Sequence, residues 1–231
     1  MKHILKAVAA VLICAVLSGS VGIGAENTAN EQAPVRGVCT DSKYVALTFD
    51  DGPHPRLTEE IVRLLNEYDI KATFFVIGQN AELYPETLRM VAAFGHEIGN
   101  HTYSHSRLIG KSYEEIRKEI DNANDAILTA CGVYPSLFRP PEGYCGANVL
   151  RAAKNEGCRV ILWNVDTRDW AHTSEKDICA NVRQNVCCGS VILFHDYTSG
   201  NAHTIDALKS LIPYLIDEGY SFCTVSELMQ K

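Results

Sequence analysis

The sequence predicts an α/β fold in which about seven parallel strands, covered by helices, form an incomplete (β/α) barrel. Short β-rich runs alternate with amphipathic stretches along the chain, and this alternation is typical of a parallel sheet with helices packed on it. Polar residues follow the ends of several predicted strands. An open doubly wound sheet gathers such residues from strands beside one switch point. A barrel gathers them from many strands, so their spread favours the barrel.

The predicted strands are short apolar runs that end at polar or turn-forming residues. The first of them leads directly into Asp50 and Asp51, and the third leads into His101. The fifth run, over 159–164, is predicted to form one continuous strand. The seven strands are predicted at 44–49, 72–77, 96–100, 137–139, 159–164, 190–194 and 221–224.

The predicted helices repeat apolar residues with the period of an α-helix. In the first helix, Ile61, Leu64, Leu65 and Tyr68 are spaced as one helical face. The third begins after Ser112, a residue type that caps helix N-termini. Helices are predicted at 57–68, 85–94, 113–131, 147–155, 174–186 and 202–217, with a last short one from Ser226.

The start of the chain has the pattern of a secretory signal. Lys2 and Lys6 precede an apolar run over 7–17, and small residues follow up to residue 25. The run is too short to span a bilayer comfortably; an uncleaved anchor is the alternative. We therefore predict a signal peptide at 1–25, a linker at 26–37 and a catalytic domain at 38–231, in a secreted or cell-wall-associated protein with no stable membrane span after cleavage.

Charge and cysteine content narrow the class of protein. The 231 residues carry a formal net charge of −7. Loss of residues 1–25 removes two lysines and no acid, which leaves −9. An acidic protein is a poor partner for nucleic acid or an anionic membrane.

Eight cysteines follow the signal without a C-x-x-C pair. Disulfides are permitted in an exported chain; buried thiols are the alternative, and connectivity stays open.

Two segments carry residues suited to metal-assisted hydrolysis. Asp50 and Asp51 end the first predicted strand, and His101 and His105 follow the third. On a helical turn, a spacing of four would put both imidazoles on one face. One carboxylate and two imidazoles suit a divalent ion such as Zn²⁺ and leave a coordination position for water. Neighbouring side chains at a strand end diverge, so the second Asp is left to act as a base.

Two further candidates end other strands. His195 closes the sixth, and Asp166 or Asp169 could orient it and raise its pKa, as a general acid requires. Arg139 closes the fourth strand. Its structural role would be an ion pair, and its functional role would be to keep a catalytic carboxylate ionised and oriented.

Five motifs in this order resemble those of the polysaccharide deacetylase family, whose domain is shared by chitooligosaccharide and peptidoglycan N-acetylglucosamine deacetylases. The resemblance covers roughly residues 42–228 and implies a distorted (β/α) barrel with fewer than eight strands. The motifs are Thr48-Phe49-Asp50-Asp51-Gly52-Pro53, His101-Thr102-Tyr103-Ser104-His105, Arg139-Pro140-Pro141-Glu142-Gly143, Asp166-Thr167-Arg168-Asp169-Trp170 and Leu193-Phe194-His195.

The resemblance also implies a role for each matching residue. The family's catalytic residues match Asp50 as base, His195 as acid, Arg139 as the residue that positions the base and Asp169 as the residue that tunes the acid. Its metal triad matches Asp51, His101 and His105. Substrate-binding residues match Trp170 and Leu193, which wall the acetyl-methyl pocket, and the turn at Glu142 and Gly143, whose backbone N–H binds the oxyanion. Glu142 departs from the aromatic residue that many members have there.

The expected activity is therefore metal-dependent removal of N-acetyl groups from acetylated aminosugar polymers of the peptidoglycan or chitin type, with release of acetate. Zn²⁺ is the expected metal, with Co²⁺ as an alternative. Two rival functions are an O-acetyl xylan esterase and a carbohydrate-binding protein that has lost catalysis. The expected partner is an acetylated polysaccharide or oligosaccharide, and the oligomeric state is left open.

Overall fold

The computed structural model describes residues 33–197 and 203–231. In these ranges one parallel sheet runs in the order β5-β4-β3-β2-β1-β7-β6, and β8 pairs with the start of β1. The sheet curls into an incomplete barrel, which confirms the predicted fold class. Its strands are β1 Tyr44–Asp50, β2 Thr73–Val76, β3 Glu97–Asn100, β4 Leu137–Phe138, β5 Arg159–Val160, β6 Val165–Asp166, β7 Ser190–His195 and β8 Ser221–Phe222.

Helices connect these strands and bury their apolar faces on the sheet. The longest, α4, begins at a capping box in which the Ser112 hydroxyl accepts from the Glu115 N–H, and it ends at left-handed Gly132. The helices are α1 Leu57–Glu67, α2 Gly78–Leu83, α3 Pro85–Ala93, α4 Tyr113–Cys131, α5 Ala147–Asn155, α6 Glu175–Asn185, α7 Thr204–Asp217 and α8 Val225–Leu228. Helix α2 was not predicted, because six residues beginning with glycine are too few to show a helical period.

The predicted strand 159–164 is wrong: only Arg159–Val160 (β5) is strand in that range, and Val165–Asp166 (β6), just beyond it, is a second short strand at the opposite end of the sheet. Strand β5 pairs with β4, whereas β6 pairs with β7. Between them the chain turns away, and the Asn164 side chain bonds to the N–H of Val191 at 2.8 Å. The apolar run is continuous because the crossing is buried, not because it is one strand.

Part of the predicted linker belongs to the domain. The Val35 N–H donates to Val160 O at 2.9 Å, and Val35 O accepts from the N–H of Leu162. Gly37 forms a bridge with Ser190. Because of this pairing, the folded domain starts before residue 38. The sequence pattern did not indicate it, because backbone pairing at an edge needs no apolar periodicity. The predicted signal peptide lies outside the described residues.

The other global features concern cysteines and membrane segments. All eight cysteines of the described residues are free thiols, and Cys158, Cys179 and Cys223 are buried. No helix in residues 33–197 and 203–231 is long and apolar enough to cross a membrane.

Asp50 lies opposite His195 in the pairing of β1 with β7, so the fold itself brings two of the predicted functional residues together.

Candidate active site

The predicted functional residues meet at the carboxyl-terminal edge of the sheet. Parallel strands end at the same edge, and β1, β3 and β7 are close together in the sheet order. The His101 N–H donates to Val76 O at 2.8 Å, and the Arg139 N–H donates to Asn100 O at 2.9 Å. These bonds extend the sheet by one residue on each strand. They fix the backbone positions from which the side chains of His101 and Arg139 extend.

A carboxylate and two imidazoles form a group that could hold a metal ion. Asp51 Oδ1 lies 3.3 Å from Nε2 of His101 and 3.2 Å from Nε2 of His105. Their ligand atoms all lie within 4.8 Å of one another. The cluster matches the predicted triad of one carboxylate and two histidines.

The donor set fits a cation. Asp51 Oδ1 is buried and has no hydrogen-bond partner among the described residues, and such an atom is costly to leave unsatisfied. Nδ1 of His101 lies 2.7 Å from Arg139 O. A carbonyl oxygen only accepts, so Nδ1 carries the hydrogen and Nε2 is free to bind a metal. Burial alone would raise the pKa of Asp51, but His101 and the other nearby histidines outweigh it and lower that pKa.

The histidine pair lies on an irregular loop and not on the helical turn that would put both imidazoles on one face. Thr102 and His105 have left-handed φ angles of 68° and 54°. Asn100 Oδ1 accepts from the Thr102 N–H at 2.8 Å, and Thr102 Oγ1 accepts from the His105 N–H at 3.1 Å. These side-chain bonds stabilise a conformation that is unfavourable for residues other than glycine.

Asp50 is held by the fully buried Arg139. Nη1 of Arg139 donates to Asp50 Oδ1 at 2.7 Å and to Thr48 Oγ1 at 2.9 Å. Nη2 donates to Leu162 O at 3.0 Å, and the guanidinium carbon lies 4.0 Å from the Phe75 ring centroid. A guanidinium fixed on several sides holds the Asp50 carboxylate in one orientation. Asp50 Oδ2 is left facing the metal cluster, 3.8 Å from His101 Nε2.

His195 is oriented by Asp169. Asp169 Oδ1 lies 2.7 Å from His195 Nδ1, and Oδ2 accepts from the His195 N–H and the Thr204 hydroxyl, both at 2.9 Å. Burial alone would lower the pKa of His195, but the bond to Asp169 and the charges of Asp169, Asp50 and Asp51 together outweigh it and raise that pKa to about 9. Asp166 instead accepts from the Arg168 N–H. Of the two partners considered for His195, the structure therefore selects Asp169.

Comparison with known proteins assigns the family. The family model described as polysaccharide deacetylase matches residues 37–161. The chain belongs to the polysaccharide deacetylase family. A peptidoglycan-N-acetylglucosamine deacetylase of Bacillus cereus is 40% identical over 80% of this chain and 68% of its own. A chitooligosaccharide deacetylase of Rhizobium leguminosarum is 34% identical over 82% of this chain and 94% of its own.

A solved structure agrees with these relatives. The peptidoglycan N-acetylglucosamine deacetylase in complex with 4-naphthalen-1-yl-N-oxidanyl-benzamide has a TM-score of 0.83 and 36% identity. The match covers 88% of this deacetylase and 95% of that chain. Together with the sequence relatives, it supports polysaccharide N-deacetylase activity for this protein.

The predicted substrate-binding residues of the deacetylase occupy different environments. Leu193 is buried on β7, whereas Trp170 is 53% exposed next to Asp169. Glu142 and Gly143 form a turn in which both residues have positive φ, 56° and 68°. A Cβ on Gly143 would lie 3.0 Å from the Trp163 ring. The roles of Leu193 and Trp170 as pocket walls and of the turn as oxyanion donor stay predictions.

Glu142 forms an ion pair that the sequence analysis did not predict. Nε of Arg107 donates to Glu142 Oε1 at 2.8 Å, with the two side chains 79% and 47% exposed. Pairs this exposed contribute about 0–1 kcal/mol to stability.

Glu142→Gln and Arg107→Gln should therefore each change the melting temperature little and lower kcat/KM less than about fivefold, because the backbone N–H of residue 142 remains. A hundredfold loss in either variant would show that the pair itself takes part in the reaction.

Sequence reasoning missed two side chains that contact the loop after Asp51. Asp196 is fully buried and accepts from the Gly52 N–H, and Asn80 donates to Asp51 O. Asp196 directly follows His195 at the end of β7, and this position was the available signal. Asn80 lies in the unpredicted helix α2, so no pattern marked it.

Proposed function

We propose that this deacetylase hydrolyses the N-acetyl groups of aminosugar units in peptidoglycan-type glycans, with a divalent metal, outside the cell membrane. The observation that carries the proposal is the unpartnered Oδ1 of Asp51 between two imidazoles, beside a carboxylate held by Arg139. The relatives that act on peptidoglycan and the signal pattern at 1–25 support the substrate and the location.

Asp51, His101 and His105 would hold the metal, most simply Zn²⁺, with Co²⁺ as a substitute. When bound, such an ion polarises the acetamide carbonyl and lowers the pKa of water. Arg139 O orients the His101 ring through Nδ1. That contact is the kind of outer bond that fixes the tautomer of a histidine ligand.

Asp50 is the proposed general base. Its Oδ1 is occupied by Arg139, and its Oδ2 faces the cluster. This oxygen takes the proton of the water that attacks the acetyl carbon. The N–H of Glu142, at the rim of the site, is the proposed donor to the oxyanion that forms.

His195 is the proposed general acid. Asp169 binds Nδ1, so the proton on Nε2 is the one available to the substrate. As the carbon–nitrogen bond breaks, Nε2 donates that proton to the amine. The acetyl group leaves as acetate, and the sugar keeps a free amine. Asp50 then returns its proton to solvent and His195 regains one.

The test is acetate release by the purified protein from peptidoglycan, from N-acetylglucosamine oligomers and from acetylated xylan. We expect release from the N-acetylated substrates, loss of release after chelation and recovery with Zn²⁺ or Co²⁺. Release from xylan alone would replace the proposal with an O-acetyl esterase. No release from any substrate by protein with bound metal would indicate a carbohydrate-binding protein. Full activity without metal would overturn the metal-dependent mechanism.

A further inference from the structure

The peptide bond between Asp51 and Gly52 is held from both sides. The Asn80 side chain donates to the carbonyl oxygen of Asp51 at 2.7 Å. The N–H of Gly52, on the opposite edge of the same peptide, donates to Asp196 Oδ1 at 2.8 Å. Because a peptide group is planar, two partners on opposite edges fix its orientation.

Asp196 is itself firmly placed. Its side chain is buried, and its Oδ2 accepts from the Thr58 hydroxyl at 2.6 Å. Its N–H donates to Asp50 O at 3.0 Å. The residue thus joins the end of β7, the end of β1 and the start of α1. With one partner on each oxygen, the Asp196 carboxyl group is held against Gly52.

Asp51 needs this support because of its backbone conformation. Its φ of 81° lies in the region that L-residues rarely adopt. Gly52 shows how close the support is: a Cβ there would lie 2.1 Å from Asp196 Oδ2. Gly52 does not have a positive φ. A glycine is therefore required here for the close approach of Asp196 and not for backbone freedom.

We propose that Asp196 and Asn80 are positioning residues that clamp the Asp51–Gly52 peptide and thereby aim Asp51 Oδ1 at the two imidazoles. This inference rests on the proposed metal site. Both act through the backbone and not on the proposed ligand atoms: Asn80 bonds to the carbonyl of Asp51, and Asp196 bonds to the N–H of Gly52. Without the clamp, Asp51 is free to relax from its left-handed conformation, and its carboxylate no longer faces His101 and His105.

Metal affinity of the full chain tests the clamp, by competition with a chromogenic chelator and by the visible spectrum of bound Co²⁺. Outer contacts to metal ligands are typically worth 10–100-fold in affinity, so we expect Asp196→Ala and Asn80→Ala each to weaken Zn²⁺ binding by about that factor. Asp196→Asn should largely restore it, because its amide oxygen still accepts from Gly52 and its NH₂ group donates to Thr58. Thr224→Ala, which removes a helix cap elsewhere, controls for lost stability and should bind metal normally.

A double substitution sharpens the test. Gly52→Ala should weaken metal binding through its clash with Asp196. In the Asp196→Ala background that clash is gone, so Gly52→Ala should cause little further loss. The clamp would be overturned if Gly52→Ala weakened metal binding by the same factor in the wild-type and Asp196→Ala backgrounds. Wild-type metal affinity in Asp196→Ala and Asn80→Ala would overturn it as well. If Asp196→Ala does not fold, Asn80→Ala decides. A wild-type protein that binds no Zn²⁺ would instead overturn the proposed metal site.

Discussion

Asp50→Asn is expected to lower kcat by about 10²–10⁴-fold, the usual contribution of a positioned general base, while Zn²⁺ stays bound. The amide keeps the size of the side chain and can still accept from Arg139 through its oxygen, but it cannot take a proton. Rates on N-acetylated oligomers and zinc content, measured on the same samples, check the prediction.

Asp51→Asn is the matched comparison, because it makes the same chemical change at the next residue. It should release zinc, since an amide oxygen is a weaker ligand than a carboxylate. Added zinc should recover part of its rate, whereas it should not help Asp50→Asn. Near-normal turnover in Asp50→Asn, or loss of zinc from both variants alike, would show that the base and the ligand are assigned incorrectly.

The positions of the site residues could be predicted because they follow local patterns. An apolar run that ends in Asp50 or His195 predicts a strand whose last side chain lies at the carboxyl edge. The pairing of β1 with β7 then sets Asp50 opposite His195. Position along the chain and a parallel sheet were enough to bring these residues to one edge.

The conformation of the loops could not be predicted in the same way. The left-handed backbone of Asp51 depends on Asp196, which is 144 residues from Gly52, and no local pattern reports so distant a contact. Residues 159–164 were assigned to one strand for a related reason. Burial makes both a strand and a crossing segment apolar, and only the pairing of β5 with β4 and of β6 with β7 distinguishes them.

The activity of the deacetylase should depend on pH through His195. Burial lowers the pKa of this histidine, but Asp169, together with the charges of Asp50 and Asp51, outweighs it and raises the pKa to about 9. The imidazolium, the form that can donate, therefore persists until the pH approaches that value, and the alkaline limb of kcat should lie there. The same pair stabilises the fold below the ordinary histidine pKa of 6.5, and this contribution is lost as the pH rises through about 9.

Asp169→Asn should move the alkaline limb to lower pH, because an amide no longer favours the imidazolium. Metal affinity should stay close to that of the wild type, since Asp169 is not among the proposed ligands. Substrates should respond unequally: an amine leaves poorly without a proton, whereas the leaving group of an activated ester needs none. His195→Asn should likewise lower the rate on N-acetylated oligomers by about 10²–10⁴-fold and spare the ester. Equal losses on both substrates would mean that His195 and Asp169 are structural and that another group supplies the proton.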